Sequence, residues 1–398
     1  MYRRYTLILG VFVKIANYLV PVKKNTWIFG SFHGKDFREG SKYMLEYVSK
    51  NHPEIDATFI TQNKATQQKV KALGYKCLMN TSLQGMIKLV RAECVLTTQD
   101  MASDILFVTP KKNRRIYYLI HGQSLKKAFK ALPDGYVYDL LNVKQSKIER
   151  YFSKLYKILC YNVEIKDISF VSATSEFLQP FTELDFGRLC EVKILGSPRI
   201  DVFYDHQKMQ QEPWLDIPAD AFVITYMPTH RKYGEGEASP NLFEGNAQVN
   251  QWLEQNNVVL LIKNHPNMIS KVIEGVASKN ILDITKTNID PQVLLYHTDV
   301  LITDFSSVWI DYLILKRPII YYLYDDFEKA DVGCHYDIRQ DCVGHVCQTE
   351  QELFQLFQQM VENYDSMCPT DQMVQKFHTY QDGHSCERHF QEMIKTQN

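Results

Sequence analysis

The chain has 398 residues, of which 45% are hydrophobic and 23% charged, and its formal net charge is −1. That length exceeds what one hydrophobic core usually serves, so two domains are expected, and the near-zero charge excludes a global field that would select nucleic acid. Nine Cys without paired spacing, and no evident cleavable signal, point to a reducing cytosol with free thiols.

Residues 1–24 read as an amphipathic helix. Arg3 and Arg4 precede Leu7, Ile8, Val11, Phe12, Ile15, Tyr18, Leu19 and Val22, which form one apolar stripe, while Thr6, Gly10, Lys14 and Asn17 fall opposite. Lys14 and Asn17 interrupt the run too early for a membrane span. Two placements stay open: docking on its own domain, or lying in a membrane interface with the basic end on anionic lipid.

Downstream, short apolar runs alternate with helical spacing. Strands are expected at 26–29, 57–61, 94–98, 116–120, 167–173 and 192–195, with helices at 41–50 and 67–73 and a more helical pattern over 132–165. A polar stretch at 204–219 reads as a linker. Strands then recur at 222–226, 258–262, 299–303 and 318–322, separated by helices at 246–256, 291–297 and 350–363. This alternation predicts two α/β domains with parallel sheets, at 25–205 and 206–370. Residues 371–398 are expected to be helical and to pack back on the first domain.

Ligands of open parallel sheets sit at the carboxyl ends of strands, and the reactive residues of this chain fall there. His121-Gly-Gln-Ser-Leu-Lys-Lys127 follows one strand; a histidine at such an edge suits a general base, Gly122 permits an unusual backbone angle, and Lys126 can steady charge nearby. Tyr226-Met-Pro-Thr-His-Arg231 offers Thr229 and the guanidinium of Arg231, which can fork onto phosphate. Leu261-Ile-Lys-Asn-His-Pro266 delivers Lys263 and His265. Thr303-Asp-Phe-Ser-Ser307 joins a strand to a helix, presenting Ser306 and Ser307 where free backbone N–H groups favour phosphate; read by itself the same turn is an ordinary helix cap.

Between Leu106 and Lys130 lie Lys111, Lys112, Arg114, Arg115, Lys126, Lys127 and Lys130, with no carboxylate. Such a run is a solvated face or a guide for an anionic acceptor or lipid phosphates. Cys334, His335, Cys342, His345 and Cys347 lack the spacing of a structural zinc site, so no metal site is expected, and divalent-metal dependence stays open. No P-loop, dinucleotide fingerprint, nucleophile elbow or zinc-protease spacing is present.

The motifs Gly30-Ser-Phe-His-Gly34, His121-Gly-x-x-Leu-Lys126, Gly196-Ser-Pro-Arg199, Pro228-Thr-x-Arg231, His265-Pro266, Thr303-Asp-x-Ser-Ser307 and Lys316-Arg-Pro318 are each weak alone. In this order, over about 25–330, the set resembles the CDP-glycerol glycerophosphotransferase family of teichoic acid primases and polymerases and related capsule enzymes. The resemblance implies a GT-B-like architecture of two Rossmann-like domains with a cleft between them. It implies transfer of glycerol phosphate or another polyol phosphate from a CDP-activated donor, CDP-glycerol, to a hydroxyl of a lipid-linked or polysaccharide acceptor, with release of CMP and no certain cofactor.

The family's two histidines map onto His121 and His265, and its donor-holding hydroxyl pair onto Ser306 and Ser307. Arg231, Thr229, Thr303 and Lys263 are expected beside the donor, with Gly122, Lys126, Asp304 and Arg199 in support; Asp304 is expected to order its turn. Gln123 stands where the family commonly has Thr, and His230 where it often has an aromatic residue. The implied setting is peripheral on the inner face of a bacterial cell membrane, on an anionic surface. The alternatives are a nucleotide-sugar glycosyltransferase of the same fold, a ribitolphosphotransferase using CDP-ribitol, and a non-catalytic membrane scaffold.

Overall fold

A computed structural model describes residues 2–99, 103–132, 163–229, 242–243, 245–264, 279–325 and 333–395. The chain divides into two compact units. The first holds residues 1–123, 128–201 and 382–398; the second holds 124–127 and 202–381.

The first unit is built on seven parallel strands: β1 (Thr26–Phe29), β2 (Asp56–Thr61), β3 (Cys77–Met79), β4 (Cys94–Thr97), β5 (Arg115–Tyr118), β6 (Ile168–Ala173) and β7 (Glu191–Ile194), in the order β3-β2-β1-β4-β5-β6-β7. The central strands β1 and β4 are buried along their whole length, as a doubly covered parallel sheet requires. Trp27, Ile28 and Phe29 are fully buried and pair with Cys94, Val95 and Leu96. The second unit has β8 (Phe222–Tyr226), β9 (Val258–Ile262), β10 (Ile281–Asp283), β11 (Val300–Thr303), β12 (Ile319–Tyr322) and β13 (His345–Cys347), in the order β10-β9-β8-β11-β12-β13, again all parallel. In both sheets the direction in which strands are added reverses between the first and fourth strands of the unit. That switch point, β1 beside β4 and β8 beside β11, is where an open α/β sheet leaves a crevice at its carboxyl edge.

The ten expected strands are present. β3, β10 and β13 were not foreseen; each is only three residues long and lies at or next to a sheet edge. The Leu83–Arg91 helix was also missed. The expected helical stretch at 132–165 falls almost wholly outside the described residues. The 204–219 stretch, read as a linker, contains a helix at His206–Gln211. The Asp371–Phe377 helix stays with the second unit, where His378 Nε2 meets the Ile310 carbonyl at 2.6 Å, while the Ser385–Lys395 helix joins the first.

The first helix, Tyr2–Leu19, docks on its unit through the narrow side. Gly10, Val13 and Asn17 are buried, whereas Ile8 (58% exposed), Phe12 (65%), Tyr18 (90%) and Leu19 (78%) face outward. The reason is Arg114. Its guanidinium is buried and donates to Asn17 Oδ1 at 3.1 Å, and to the carbonyls of Leu89, Val90, Ala92 and Thr109 between 2.7 and 3.0 Å. One cation thus fastens this helix to the end of the Leu83–Arg91 helix. Among the described residues no helix is long and apolar enough to cross a membrane.

Candidate active site

In the first unit the site grows from the loops after β1 and β4. Gly30 follows β1, and a Cβ there would lie 2.3 Å from Ile105 Cγ1 and 2.8 Å from the Asp104 carbonyl, so only glycine fits. Phe32, His33 and Gly34 then take successive positive φ angles of 48°, 55° and 67°. Such strain persists only where surroundings impose it. Asp104, 1% exposed, does so: its Oδ1 accepts the His33 N–H at 2.7 Å, and its Oδ2 accepts the N–H groups of Thr98 and Gln99, each at 2.8 Å. Burial raises its carboxyl above the usual range, and those three N–H groups work the other way. His33 Nδ1 meets Ser103 Oγ at 2.5 Å.

His121 stands past the end of β5 and reaches solvent. The Thr98 backbone beside the ring favours its protonated form. Packing around it, then Arg199, then His33, hold the imidazole down at about 4. The ring is therefore neutral near pH 7. Arg199, 3% exposed, braces the same strand end by donating to the Ile120 carbonyl at 3.1 Å.

Four expectations for this half change. Gly122 is not among the glycines with positive φ, so a left-handed turn is not what it supplies. Gln123 is buried and its Oε1 accepts the Thr174 N–H at 3.3 Å, which makes the departure from the family's Thr a packing feature. Lys126 belongs to the second unit, where it bridges Cys334 and where the Leu125 carbonyl accepts the His335 N–H at 2.8 Å. The basic run is partly structural: Arg114 is caged, Lys111 donates to the Val20 and Val90 carbonyls, and Arg115 pairs with Glu93 at 3.2 Å, leaving Lys112, Lys127 and Lys130 exposed.

In the second unit, β11 runs into Asp304. This residue is fully buried, and its Oδ1 accepts the Thr229 N–H at 2.8 Å, tying the ends of β8 and β11 together at the switch point. Its role in ordering the turn is as expected from like-charge repulsion with phosphate. Ser307 is the N-cap of the Val308–Leu313 helix but makes no side-chain cap bond, and Ser306 Oγ only reaches Val308 N at 3.4 Å. Both serines are half-buried, and the Ser307 hydroxyl is not used as a cap. The helix is six residues long, too short for its dipole to carry the binding.

Two expected donor residues are structural here. Thr303 is fully buried and donates to the Met227 carbonyl at 2.7 Å. Lys263 Nζ sits among the carbonyls of Ile284 (3.1 Å), Thr285 (3.4 Å) and Thr287 (2.7 Å), holding the loop after β10. Arg317 likewise donates to the Tyr296 and Thr298 carbonyls, each at 2.6 Å. Thr229 is 7% exposed. His230, Arg231, His265 and Pro266 lie outside the described residues. Sequence reasoning did not single out Glu39, Thr98 or Asp104; the strand-end position of Thr98 was the available signal.

Two Rossmann-like parallel sheets, each with its polar residues gathered at a switch point, define an α/β protein of GT-B-like fold. The family described as CDP-glycerol:poly(glycerophosphate) glycerophosphotransferase matches residues 12–395, and the chain belongs to it. It is similar to the teichoic acid glycerol-phosphate transferase of Staphylococcus aureus, 27% identical over 393 residues that cover 94% of this chain and 93% of that protein. It is also similar to the teichoic acid poly(glycerol phosphate) polymerase of Staphylococcus epidermidis, 26% identical over 82% of this chain but only 44% of that polymerase. The matched stretch thus spans less than half the length of that polymerase. Among solved structures, the wall teichoic acid polymerase TagF superposes with a TM-score of 0.72 at 19% identity, covering 100% of this chain and 97% of that one.

Proposed function

We propose that this chain transfers glycerol phosphate, or another polyol phosphate, from a CDP-activated donor to an acceptor hydroxyl in cell-wall polymer synthesis, releasing CMP. The observation that carries the reading is the exposed His121 just past the carboxyl end of β5, in a chain of this family. His121 accepts the hydroxyl proton as the acceptor oxygen bonds to the donor's β-phosphorus and the bond to the CMP oxygen breaks. A general base contributes about 10²–10⁴ in rate. On the donor side the hydroxyls of Ser306 and Ser307 hold the diphosphate, joined by His265 and Arg231 on the strength of the family resemblance. Most of the remaining catalysis is positioning and charge stabilisation.

The acceptor is a lipid-linked or polysaccharide chain, met at the inner face of the cell membrane. Support comes from the outward stripe of the first helix and from Leu83 (70% exposed) and Ile87 (47%) on the helix it touches, with Lys23, Lys24 and Arg91 exposed nearby in sequence. Such a face suits an anionic interface.

The test is CMP release when the purified chain is mixed with CDP-glycerol or CDP-ribitol and a teichoic acid acceptor. The expected result is acceptor-dependent CMP, lowered at least about a hundredfold in His121→Ala. Consumption of a nucleotide sugar with no CMP from either donor would refute the reading in favour of a glycosyltransferase. Phe12→Ser with Tyr18→Ser should abolish sedimentation with phosphatidylglycerol vesicles while leaving CMP release from a water-soluble acceptor intact.

A further inference from the structure

The strained turn after β1 leaves one imidazole nitrogen unused. His33 sits at φ +55°, an angle that glycine or asparagine adopts at least cost, so a histidine there is strain imposed by its surroundings. Its N–H donates to Asp104 Oδ1 at 2.7 Å, its carbonyl accepts from the Gln62 side-chain amide, and its Nδ1 meets Ser103 Oγ at 2.5 Å. The next carbonyl, of Gly34, accepts the Thr61 hydroxyl at 2.7 Å and the Gln62 N–H at 2.8 Å. Three of the four polar atoms of His33 are thus committed. The fourth, Nε2, has no hydrogen-bond partner among the described residues, and the residue is half-buried.

The same net sets His33 on the edge that carries His121. Strand β4 lies between β1 and β5, and the two histidines follow the outer pair. Just past β4, the N–H groups of Thr98 and Gln99 donate to the other oxygen of Asp104, and the Tyr118 hydroxyl of β5 donates to the Gln99 carbonyl at 3.0 Å. The Glu39–Asn51 helix starts against these strand ends: Ser41 Oγ donates to the Leu96 carbonyl at 3.4 Å, and a Cβ on Gly40 would stand 3.2 Å from Leu119 Cβ. His33 is also among the charges that act on the His121 ring.

Hydrogen-bond donors are what this edge lacks. Gln99 Oε1 and Glu39 Oε2 are buried acceptors with no partner among the described residues. The nearby cations are engaged, Arg38 Nε donating to Asp36 at 2.9 Å and Arg199 to the Ile120 carbonyl at 3.1 Å. A phosphate would add acceptors and negative charge beside Asp104 and Glu39. A polyol brings hydroxyls, which pair with Nε2 whether that nitrogen accepts or donates. We propose that His33 binds the polyol end of the acceptor, its Nε2 holding the hydroxyl next to the one that reacts. The inference rests on the reading of the chain as a polyol-phosphate transferase, and it names the residue that recognises the acceptor.

The experiment compares two acceptors that differ by one oxygen. One is a short chain ending in glycerol phosphate; the other ends in 1,3-propanediol phosphate, which keeps a primary hydroxyl and lacks its neighbour. With CMP release from CDP-glycerol as the readout, wild type should show a KM at least about tenfold lower for the glycerol end. His33→Asn tolerates the left-handed angle, keeps a polar atom near the Nδ1 position and loses the reach of Nε2. It should treat both acceptors alike, with circular dichroism reporting that it is folded. The ¹⁵N resonances of the His33 ring, assigned by their loss in His33→Asn, should shift when the glycerol-ended acceptor is added without donor, and stay still with inorganic phosphate. Equal KM values in wild type, undiminished discrimination in His33→Asn, or ring shifts produced by phosphate alone overturn the proposal. Wild type inert toward every CDP donor would count against the function, while the ring spectra still judge His33.

Discussion

Asp201 Oδ2 accepts the Cys386 backbone N–H at 2.7 Å, and Asp201 Oδ1 accepts that of Ser385 at 3.0 Å, linking residues 185 positions apart. These are the first free donors of the Ser385–Lys395 helix, so Asp201 caps it from a distant part of the chain. Gly196 lies in the same contact, with φ at +82° and room for no Cβ beside Ser385 Oγ at 2.4 Å. Asp201→Ala should lower unfolding free energy by about 1–2 kcal/mol and speed amide exchange in residues 385–390 first. Uniform loss of protection across the first unit would show that the cap is not local.

His389 on that helix gives the fold a pH dependence. Its Nε2 meets Ser172 Oγ at 2.9 Å and its Nδ1 the Ser385 carbonyl at 2.8 Å, and burial pushes the ring down to about 4. The unfolded chain binds this proton near 6.5, so between the two values the folded state carries fewer protons. Stability from this group is full above about 6.5 and falls as pH drops toward 4, by up to about 3 kcal/mol. Urea midpoints at pH 7.5 and 4.5 should converge in His389→Gln relative to wild type. An equal acid slope in both proteins would refute the assignment.

Thr303 and Ser307, four positions apart, should separate stability from binding. Thr303→Val strands the Met227 carbonyl and should cost about 1–3 kcal/mol. Ser307→Ala removes no cap bond and should leave the melting temperature nearly unchanged while weakening CDP-glycerol binding in calorimetry. The reverse pattern would show that the Ser307 hydroxyl serves the fold.

Gly30→Ala should be destabilising by about 1–3 kcal/mol, because the new methyl meets fully buried Ile105 and the Asp104 carbonyl. Because Asp104 holds His33, an electrostatic neighbour of His121, CMP release should fall further than the folded fraction does, as read by a thermal melt and an activity assay on one sample. Activity falling only in step with folding would disconnect Asp104 from His121.

Arg114→Lys replaces a planar fork with a single ammonium that cannot serve five oxygens at once. About 2 kcal/mol of local stability should be lost, with residues 8–19 exchanging their amides faster than the sheet. Unchanged protection there would mean the helix is held by Val13 packing alone.

The long strands and the motifs at their ends were legible in the sequence, because a run such as Val258–Ile262 has only one use in a buried parallel sheet. Three-residue edge strands were not, since β3 and β13 bury little and carry no period. Residue type marked His121, Ser306 and Ser307, but it could not say which polar groups were already engaged. Lys263 and Arg114 look like free cations until the carbonyls around them are seen. Asp104 was invisible because its importance comes from what folds over it, not from its spacing. The first helix docks by Gly10, Val13 and Asn17, while Ile8, Phe12 and Ile15 of the stripe read from the sequence are exposed.

The first unit is stitched from three stretches of chain, and its closing piece is 382–398. On the ribosome every residue of the second unit is made before that piece emerges. The half that carries His121 therefore has to wait, its sheet lacking a cover, while the serine-bearing half can already mature.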